Sequence, residues 1–257
     1  MKTLAATLGA VASILSLPAL AQTAPATASP WAFSANIGLF SDYRFRGISQ
    51  TDKKPALQGG FDLAHSSGLY IGNWNSNVDS AFYNGANIEM DFYGGYRHAF
   101  DGGFGLDVGV ITYYYPNSGS NPAGSTRIDN TELYIGGSYG PVTLKYNYAV
   151  SDFFSAPDSS GSSYLDAGFS YDLGHNFGVV AHYGYQWLKG GAVVTQIDGS
   201  TANNISDWKI GATYTLDGWV VALAYVATNR DLTGGTAALT NSNISGNTAV
   251  LSVAKTF

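Results

Sequence analysis

The feature that most constrains the fold is an apolar–polar alternation that repeats from Trp31 to the last residue. Each repeat is about 9–12 residues long, the length of a strand that crosses a bilayer at a tilt. In Phe104-Gly-Leu-Asp-Val-Gly-Val110, for example, every apolar side chain falls on one face and Gly or Asp falls on the other. The alternation therefore predicts strands with one apolar face, and not amphipathic helices.

The connections between the repeats follow a regular rhythm. Twelve segments are joined alternately by six long polar loops and five short turns, such as His65-Ser-Ser-Gly68 and Asp101-Gly-Gly103. Outer-membrane barrels have short periplasmic turns and long extracellular loops. We therefore predict an all-β protein, a transmembrane antiparallel β-barrel of 12 strands over residues 31–257. Closure would also remove the exposed edges of so many strands.

The last stretch, Gly246–Phe257, is expected to close the barrel. We expect it to pair with the first strand, between Trp31 and Tyr43, and to place Phe257 in a periplasmic ring of aromatic side chains. Lys255 falls on the outward face, where its stem can lie along apolar surface while its ammonium reaches the headgroups. As in similar proteins, Phe257 would be the assembly signal that the barrel-assembly machinery recognises.

Aromatic residues gather at the strand ends, as expected for the two girdles of a membrane barrel. The girdle at the turns would contain Trp31, Phe100, Tyr139, Tyr171, Trp219 and Phe257. The girdle at the loops would contain Tyr43, Trp74, Tyr113, Tyr114, Tyr115, Trp187 and Trp208.

Composition narrows the class of protein. Charged residues make up only 12% of the chain, about half the usual share of a soluble domain, and there is no Cys. Disulfides and thiolate metal sites are thereby excluded. No apolar run of about 18 residues follows the N-terminal region, which argues against a helical membrane protein. The net charge of −6 argues against a nucleic-acid partner.

The N-terminal residues resemble an export signal. Lys2 is followed by the apolar stretch Leu4–Leu17 and by the small-residue motif Ala19-Leu-Ala21. We predict a signal peptide over residues 1–21, cleaved near Ala21/Gln22, and a flexible periplasmic leader over residues 22–30. The expected location is the outer membrane of a Gram-negative bacterium, in contact with its lipid and lipopolysaccharide.

The inward face of the alternation carries nearly all of the strand charges. The acids are Asp42, Asp62, Glu89, Asp91, Asp107, Glu132, Asp166 and Asp207, and the bases are Arg44, Arg46, Arg97, Lys145 and Lys209. Eight acids against five bases predict a lumen with a mild preference for cations. The alternative is that these charges form ion pairs that fill the barrel.

The densest charged patch is Asp42-Tyr-Arg44-Phe-Arg46. Its three charges would lie on one strand face near the outer rim. They could form a constriction that binds a carboxylate or phosphate of a solute. They could instead form a structural clasp to Glu89 or Asp91, which is the favoured interpretation.

The residues do not indicate catalysis, and no cofactor or metal is expected. Three of the four histidines, His65, His98 and His175, lie in or beside short turns. His182 lies inward within a strand, where a hydrogen-bonded structural role is the favoured interpretation. No Ser within a strand is placed with a base and an acid, as a catalytic nucleophile would require.

Residues Ser41-Asp-Tyr-Arg-Phe-Arg-Gly-Ile-Ser-Gln-Thr51 and Pro55-Ala-Leu-Gln-Gly-Gly-Phe-Asp62 resemble the opening of the TorF-type porin family of proteobacteria. The ending Ser252–Phe257 is also similar to that family. The resemblance spans the mature chain and is strongest over residues 36–76. It implies an outer-membrane barrel of the porin type, and it transfers no binding residues because the family's substrate is not established. The function we predict is a channel through which small hydrophilic solutes diffuse.

Two other classes of function remain open at this stage. One is a structural or adhesive barrel that conducts nothing, and the other is an outer-membrane hydrolase. The sequence also leaves the oligomeric state open.

Overall fold

The computed structural model describes residues 29–120, 125–235 and 242–257, which form a closed antiparallel barrel of twelve long strands. The proposed signal peptide, and all of the leader except residues 29–30, lie outside the described residues. The long strands are β1 (Trp31–Phe40), β4 (Ala56–His65), β5 (Leu69–Asn77), β6 (Ile88–Ala99), β7 (Phe104–Tyr114), β8 (Asp129–Tyr139), β9 (Val142–Ala149), β10 (Ser163–Gly174), β11 (Phe177–Trp187), β14 (Asn204–Leu216), β15 (Trp219–Thr228) and β16 (Thr248–Thr256). Two short hairpins stand apart from the wall, β2 (Arg44–Phe45) with β3 (Ile48–Ser49) and β12 (Val194–Thr195) with β13 (Thr201–Ala202).

The alternation of long and short connections is confirmed. Five turns of two to four residues lie at one end of the barrel, which we call the turn end. Six longer connections lie at the other, the loop end. In the two-residue turns His175-Asn176 and Asp217-Gly218, all four residues have positive φ. This conformation matches the right-handed twist of the strands that such turns join.

The outward face of the wall is apolar. Leu223 in β15, Ile135 in β8 and Leu251 in β16 are 58%, 54% and 52% exposed, as expected for side chains that face lipid. The predicted girdle at the turn end is present: Trp31, Phe100, Tyr139, Tyr171, Trp219 and Phe257 are all exposed. Lys255 also lies outward, and its ammonium donates to the carbonyl of Asp217 at 3.2 Å.

The predicted girdle at the loop end is largely wrong. Trp187 and Trp208 are exposed there, and Tyr114 is half-buried on the outward parity of Val110. Four of the other rings are buried inside the barrel: Tyr43, Trp74, Tyr113 and Tyr115. The strand period explains the error, because Tyr113 shares its parity with the inward Asp107 and Trp74 shares its parity with the inward Tyr70.

The seam between β1 and β16 closes the barrel. It runs from the pair Asn36–Thr256 to the pair Phe40–Ser252, and backbone hydrogen bonds extend it to Leu251 and Phe257. The predicted partner of the closing strand is therefore correct. The predicted length of β1 is not, because the strand ends at Phe40 and the following residues turn into the lumen.

Single 3₁₀ turns lie in the loops at Phe153–Ser155 and Gly190–Ala192. Across the residues that the structure describes, no helix has the length and apolar character needed to cross a membrane.

Candidate functional site: the barrel lumen

Ten charged residues of the long strands face the lumen, as the alternation predicts. Each is buried or half-buried: Asp62, Glu89, Asp91, Arg97, Asp107, Glu132, Lys145, Asp166, Asp207 and Lys209. They fall into three groups along the wall. Glu89, Asp91 and Glu132 lie toward the loop end, Asp62, Arg97 and Asp107 lie toward the turn end, and the remaining four lie on β9, β10 and β14.

Residues 42–49, which we call the inner hairpin, leave the wall after β1 and fold into the lumen. Asp42 holds the two arms together, since its carboxylate pairs with Arg44 Nε at 2.6 Å and accepts from Ser49 Oγ at 2.6 Å. Arg44 also donates to the carbonyls of Gly47 and Ile244, both at 3.0 Å. These contacts tie the inner hairpin to the loop that precedes β16.

The tip of the inner hairpin crosses the lumen. Arg46 and Gly47 both have positive φ, 47° and 80°, and form a two-residue turn between β2 and β3. The Arg46 guanidinium pairs with Glu132 on β8 at 2.6 Å and donates to Gln186 Oε1 on β11 at 2.6 Å. It also lies over the ring of Tyr164 on β10, 4.3 Å from the centroid. One side chain therefore connects three separate strands.

The electrostatics of Arg46 favour its charge. Burial alone would lower its pKa, but the adjacent Glu132 carboxylate outweighs burial, and the pKa of Arg46 is raised above its ordinary value. The guanidinium therefore stays charged, and Glu132 is its buried counter-ion.

The structure corrects the sequence interpretation of Asp42, Arg44 and Arg46. They do not lie on one face of β1, because the chain leaves the wall at Phe40. The clasp exists, but Arg46 pairs with Glu132 and not with Glu89 or Asp91. The reason is the reversal at Arg46-Gly47, which directs the guanidinium across the lumen toward β8 and β11.

Glu89 and Asp91 are surrounded by tyrosines. Glu89 accepts from Tyr43 Oη at 2.7 Å and from Tyr115 Oη at 2.8 Å. Burial raises the pKa of Tyr43 and of Tyr115, so both hydroxyls remain protonated donors. Asp91 is completely buried, and neither carboxylate oxygen has a hydrogen-bond partner among the described residues. This side of the lumen is therefore tightly packed with side chains.

The turn half of the lumen contains a second set of contacts. Arg97 pairs with Asp107 at 3.0 Å and lies over the ring of Tyr70, 3.9 Å from the centroid. Tyr70 Oη donates to Asp107 and also contacts the hydroxyl of Tyr134. Asp62 accepts from Tyr93 Oη at 2.8 Å. Tyr70 was not among the predicted lumen residues, although its parity on β5 could have identified it.

His182 on β11 joins the acids of the neighbouring strands. Its Nδ1 lies 2.7 Å from Asp166 Oδ1 and its Nε2 lies 2.7 Å from Asp207 Oδ1. Tyr164 Oη donates to Asp207 at 3.0 Å. These contacts fit the hydrogen-bonded role expected from the sequence. Among the residues described here, no group of three or more His, Asp or Glu side chains is arranged to hold a metal ion.

A cavity of about 110 Å³ lies between the inner hairpin and the wall from β9 to β16. It has room for several water molecules. Its wall includes Arg46 on one side and Lys145, Asp166, His182 and Lys209 on the other. This space separates the packed tyrosine–carboxylate side of the lumen from a wall that carries both signs of charge.

Comparison with known proteins places the chain in a family. Residues 24–257 match the model of a family described as bacterial protein of unknown function (Gcw_chp). The chain belongs to this family. The match covers all of the barrel, so the inner hairpin and the lumen described above are parts of a Gcw_chp chain. No curated protein matches the sequence.

Solved structures resemble this Gcw_chp chain in fold. The NanC porin has 10% identity and a TM-score of 0.52, over 88% of this chain and 99% of NanC. A chain from a study of in-meso crystallisation of membrane proteins has 14% identity and a TM-score of 0.52, over 88% of this chain and 83% of its own. The KdgM porin, solved in complex with disordered oligogalacturonate, has 8% identity and a TM-score of 0.48, over 88% of this chain and 97% of KdgM.

Proposed function

We propose that the protein is an outer-membrane channel of the porin type, through which small hydrophilic solutes diffuse. The observation that carries this proposal is the reversal of polarity across a closed wall. Apolar side chains such as Leu223 and Ile135 cover the outside, and charged side chains line the inside. An apolar exterior is unfavourable in water, whereas the hydrocarbon core of a lipid bilayer requires it.

The TorF-type resemblance of residues 41–62 supports the same proposal. In this proposal the turn end faces the periplasm and the loop end faces the exterior. We also propose that the barrel contacts lipid and lipopolysaccharide, and that the barrel-assembly machinery inserts it. We also propose that the channel has no enzymatic activity, because both ring nitrogens of His182 are engaged by aspartates and neither is left to act as a general base.

The inner hairpin favours a second candidate, a barrel that does not conduct. It crosses the lumen from β1 to Glu132 and Gln186, and a solute has to pass it. We propose that it is a constriction and not a complete plug, because a cavity of about 110 Å³ remains beside it. We therefore expect a small unit conductance.

Planar-bilayer recording of the purified, refolded protein distinguishes the two candidates. We expect small, steady openings in KCl, with a mild preference for cations that follows from the excess of lumen acids. A barrel that inserts, as judged by membrane capacitance or protease protection, and stays electrically silent would support the non-conducting candidate. Lipase and protease assays on the same sample test the hydrolase alternative.

A further inference from the structure

The charges on the wall of the cavity differ from those of the lumen as a whole. The lumen acids outnumber the bases by eight to five. On the cavity wall the bases outnumber the acids, with Arg44, Arg46, Lys145 and Lys209 against Asp42, Asp166 and Asp207. Five acids do not line the cavity, and four of those accept hydrogen bonds elsewhere: Asp62, Glu89, Asp107 and Glu132.

Lys145 on β9 has an unusual environment on this wall. Its ammonium nitrogen is buried and, among the described residues, has no hydrogen-bond acceptor. It lies over the ring of Tyr134, 3.5 Å from the centroid. An ammonium with three N–H donors and no acceptor from the protein favours a ligand that supplies one.

The carboxylates that act electrostatically on Lys145 are engaged by other groups. They are Asp107, Glu132 and Asp166. Asp107 pairs with Arg97, Glu132 pairs with Arg46, and Asp166 accepts from His182. Asp166 is the direct cross-strand neighbour of Lys145, yet its carboxylate points to the histidine. The described residues therefore place negative charge near Lys145 but give its ammonium no hydrogen-bond acceptor.

We propose that the cavity is a binding site for a singly charged anionic group of the size of a carboxylate, and that Lys145 is its principal donor. Lys209 lines the same cavity and adds positive charge. A carboxylate would give the ammonium its missing acceptors through charge-assisted hydrogen bonds.

This site deepens the proposed function, because it names a class of solute that the lumen would hold. It does not require an open channel. Binding is therefore measured on the refolded protein in detergent micelles, separately from conductance. A silent barrel that binds the probe would overturn the channel and leave the site, and an open channel that does not bind would overturn the site alone.

Fluorine NMR of trifluoroacetate tests the site. We expect saturable broadening of the probe signal by the wild-type protein, and displacement by acetate but not by tetramethylammonium. Lys145→Met should weaken binding by about tenfold or more, because it removes a charge-assisted contact. Lys145→Arg should retain most of the binding, and Lys209→Met should weaken it by a smaller factor.

Lys255→Met is the matched control, since Lys255 lies on the outward face beside Trp219 and Phe257. It should bind the probe like the wild type. Circular dichroism and heat-dependent gel migration verify that each variant is folded. Equal binding by the Lys145→Met and wild-type proteins, or no saturable binding by a folded wild type, would overturn the proposal.

Discussion

At the scale of the residue, Arg46 combines a strained backbone with an exceptional set of contacts. A non-glycine residue at a φ of 47° costs of the order of 1–3 kcal/mol. The cost is offset by a buried ion pair with Glu132, a hydrogen bond to Gln186 and the contact with the Tyr164 ring. The side chain therefore determines where the tip of the inner hairpin lies.

Arg46→Ala should lower the free energy of unfolding by about 3–5 kcal/mol, because it leaves the Glu132 carboxylate buried without its counter-ion. Denaturant titration of the protein refolded in lipid vesicles measures the effect. Adding Glu132→Gln to Arg46→Ala should recover part of the loss, since the uncompensated charge is then removed.

Lys54→Ala is the control for this comparison. Lys54 pairs with Asp52 at 3.1 Å, but its side chain is 64% exposed. Surface pairs of this kind contribute about 0–1 kcal/mol. If Arg46→Ala and Lys54→Ala cost the same, the buried pair does not hold the tip in place.

Much of the lumen could be predicted from single residues, because parity alone identifies an inward side chain. The inward positions of Asp107, Lys145 and Asp166 follow from the alternation of their strands alone. Partners were harder to predict. Arg46 and Glu132 are 86 residues apart in the chain, and only the three-dimensional course of the inner hairpin brings them together.

At the scale of the element, the inner hairpin shows where a sequence pattern becomes ambiguous. The alternation of β1 continues through Arg44 and Phe45, so the pattern predicts an unbroken strand. The structure instead ends β1 at Phe40 and reverses the chain at Arg46-Gly47. In the sequence, Gly47 could have indicated this reversal, because a two-residue hairpin turn favours Gly at its second position.

Gly47→Ala should displace the inner hairpin. The added methyl group would lie 2.7 Å from Asp207 Cβ and would also meet Thr228, at a backbone φ of 80° that disfavours alanine. We expect a larger or noisier unit conductance in planar bilayers, because the constriction is loosened while the wall is unchanged.

Gly102→Ala separates this steric effect from backbone strain. Gly102 has a φ of 95° in the turn after β6, and an added methyl group there meets nothing within 4 Å. Its channel properties should match those of the wild type. Identical currents from Gly47→Ala and Gly102→Ala would show that the tip does not constrict the pore.

For the whole molecule, the sequence predicted the barrel because a series of similar alternating strands favours closure of the sheet. Twelve alternating segments with short turns can satisfy every strand edge only by pairing β1 with β16. The interior was not predictable to the same degree. Tyr43, Trp74, Tyr113 and Tyr115 look like girdle residues in sequence, yet they fill the loop half of the lumen around Glu89 and Asp91.

The orientation of the barrel in the membrane can be tested by labelling, because the chain contains no Cys. Ser160→Cys lies exposed in the loop before β10, and Asp101→Cys lies exposed in the turn after β6. On intact cells, an impermeant maleimide should label Ser160→Cys and spare Asp101→Cys. Both should react after lysis, and the reverse pattern on intact cells would contradict the proposed orientation.

The inner hairpin contacts residues that are far from it in the chain, and these contacts affect the order of folding. Arg46 is 140 residues from Gln186 and 86 residues from Glu132, so its contacts need β8 and β11 to be in place. Contacts of such sequence separation form late. A shift of one residue in either strand would turn Glu132 or Gln186 toward the lipid and leave Arg46 without a partner. Arg46 can therefore contact both partners only when β8 and β11 have paired in the correct register.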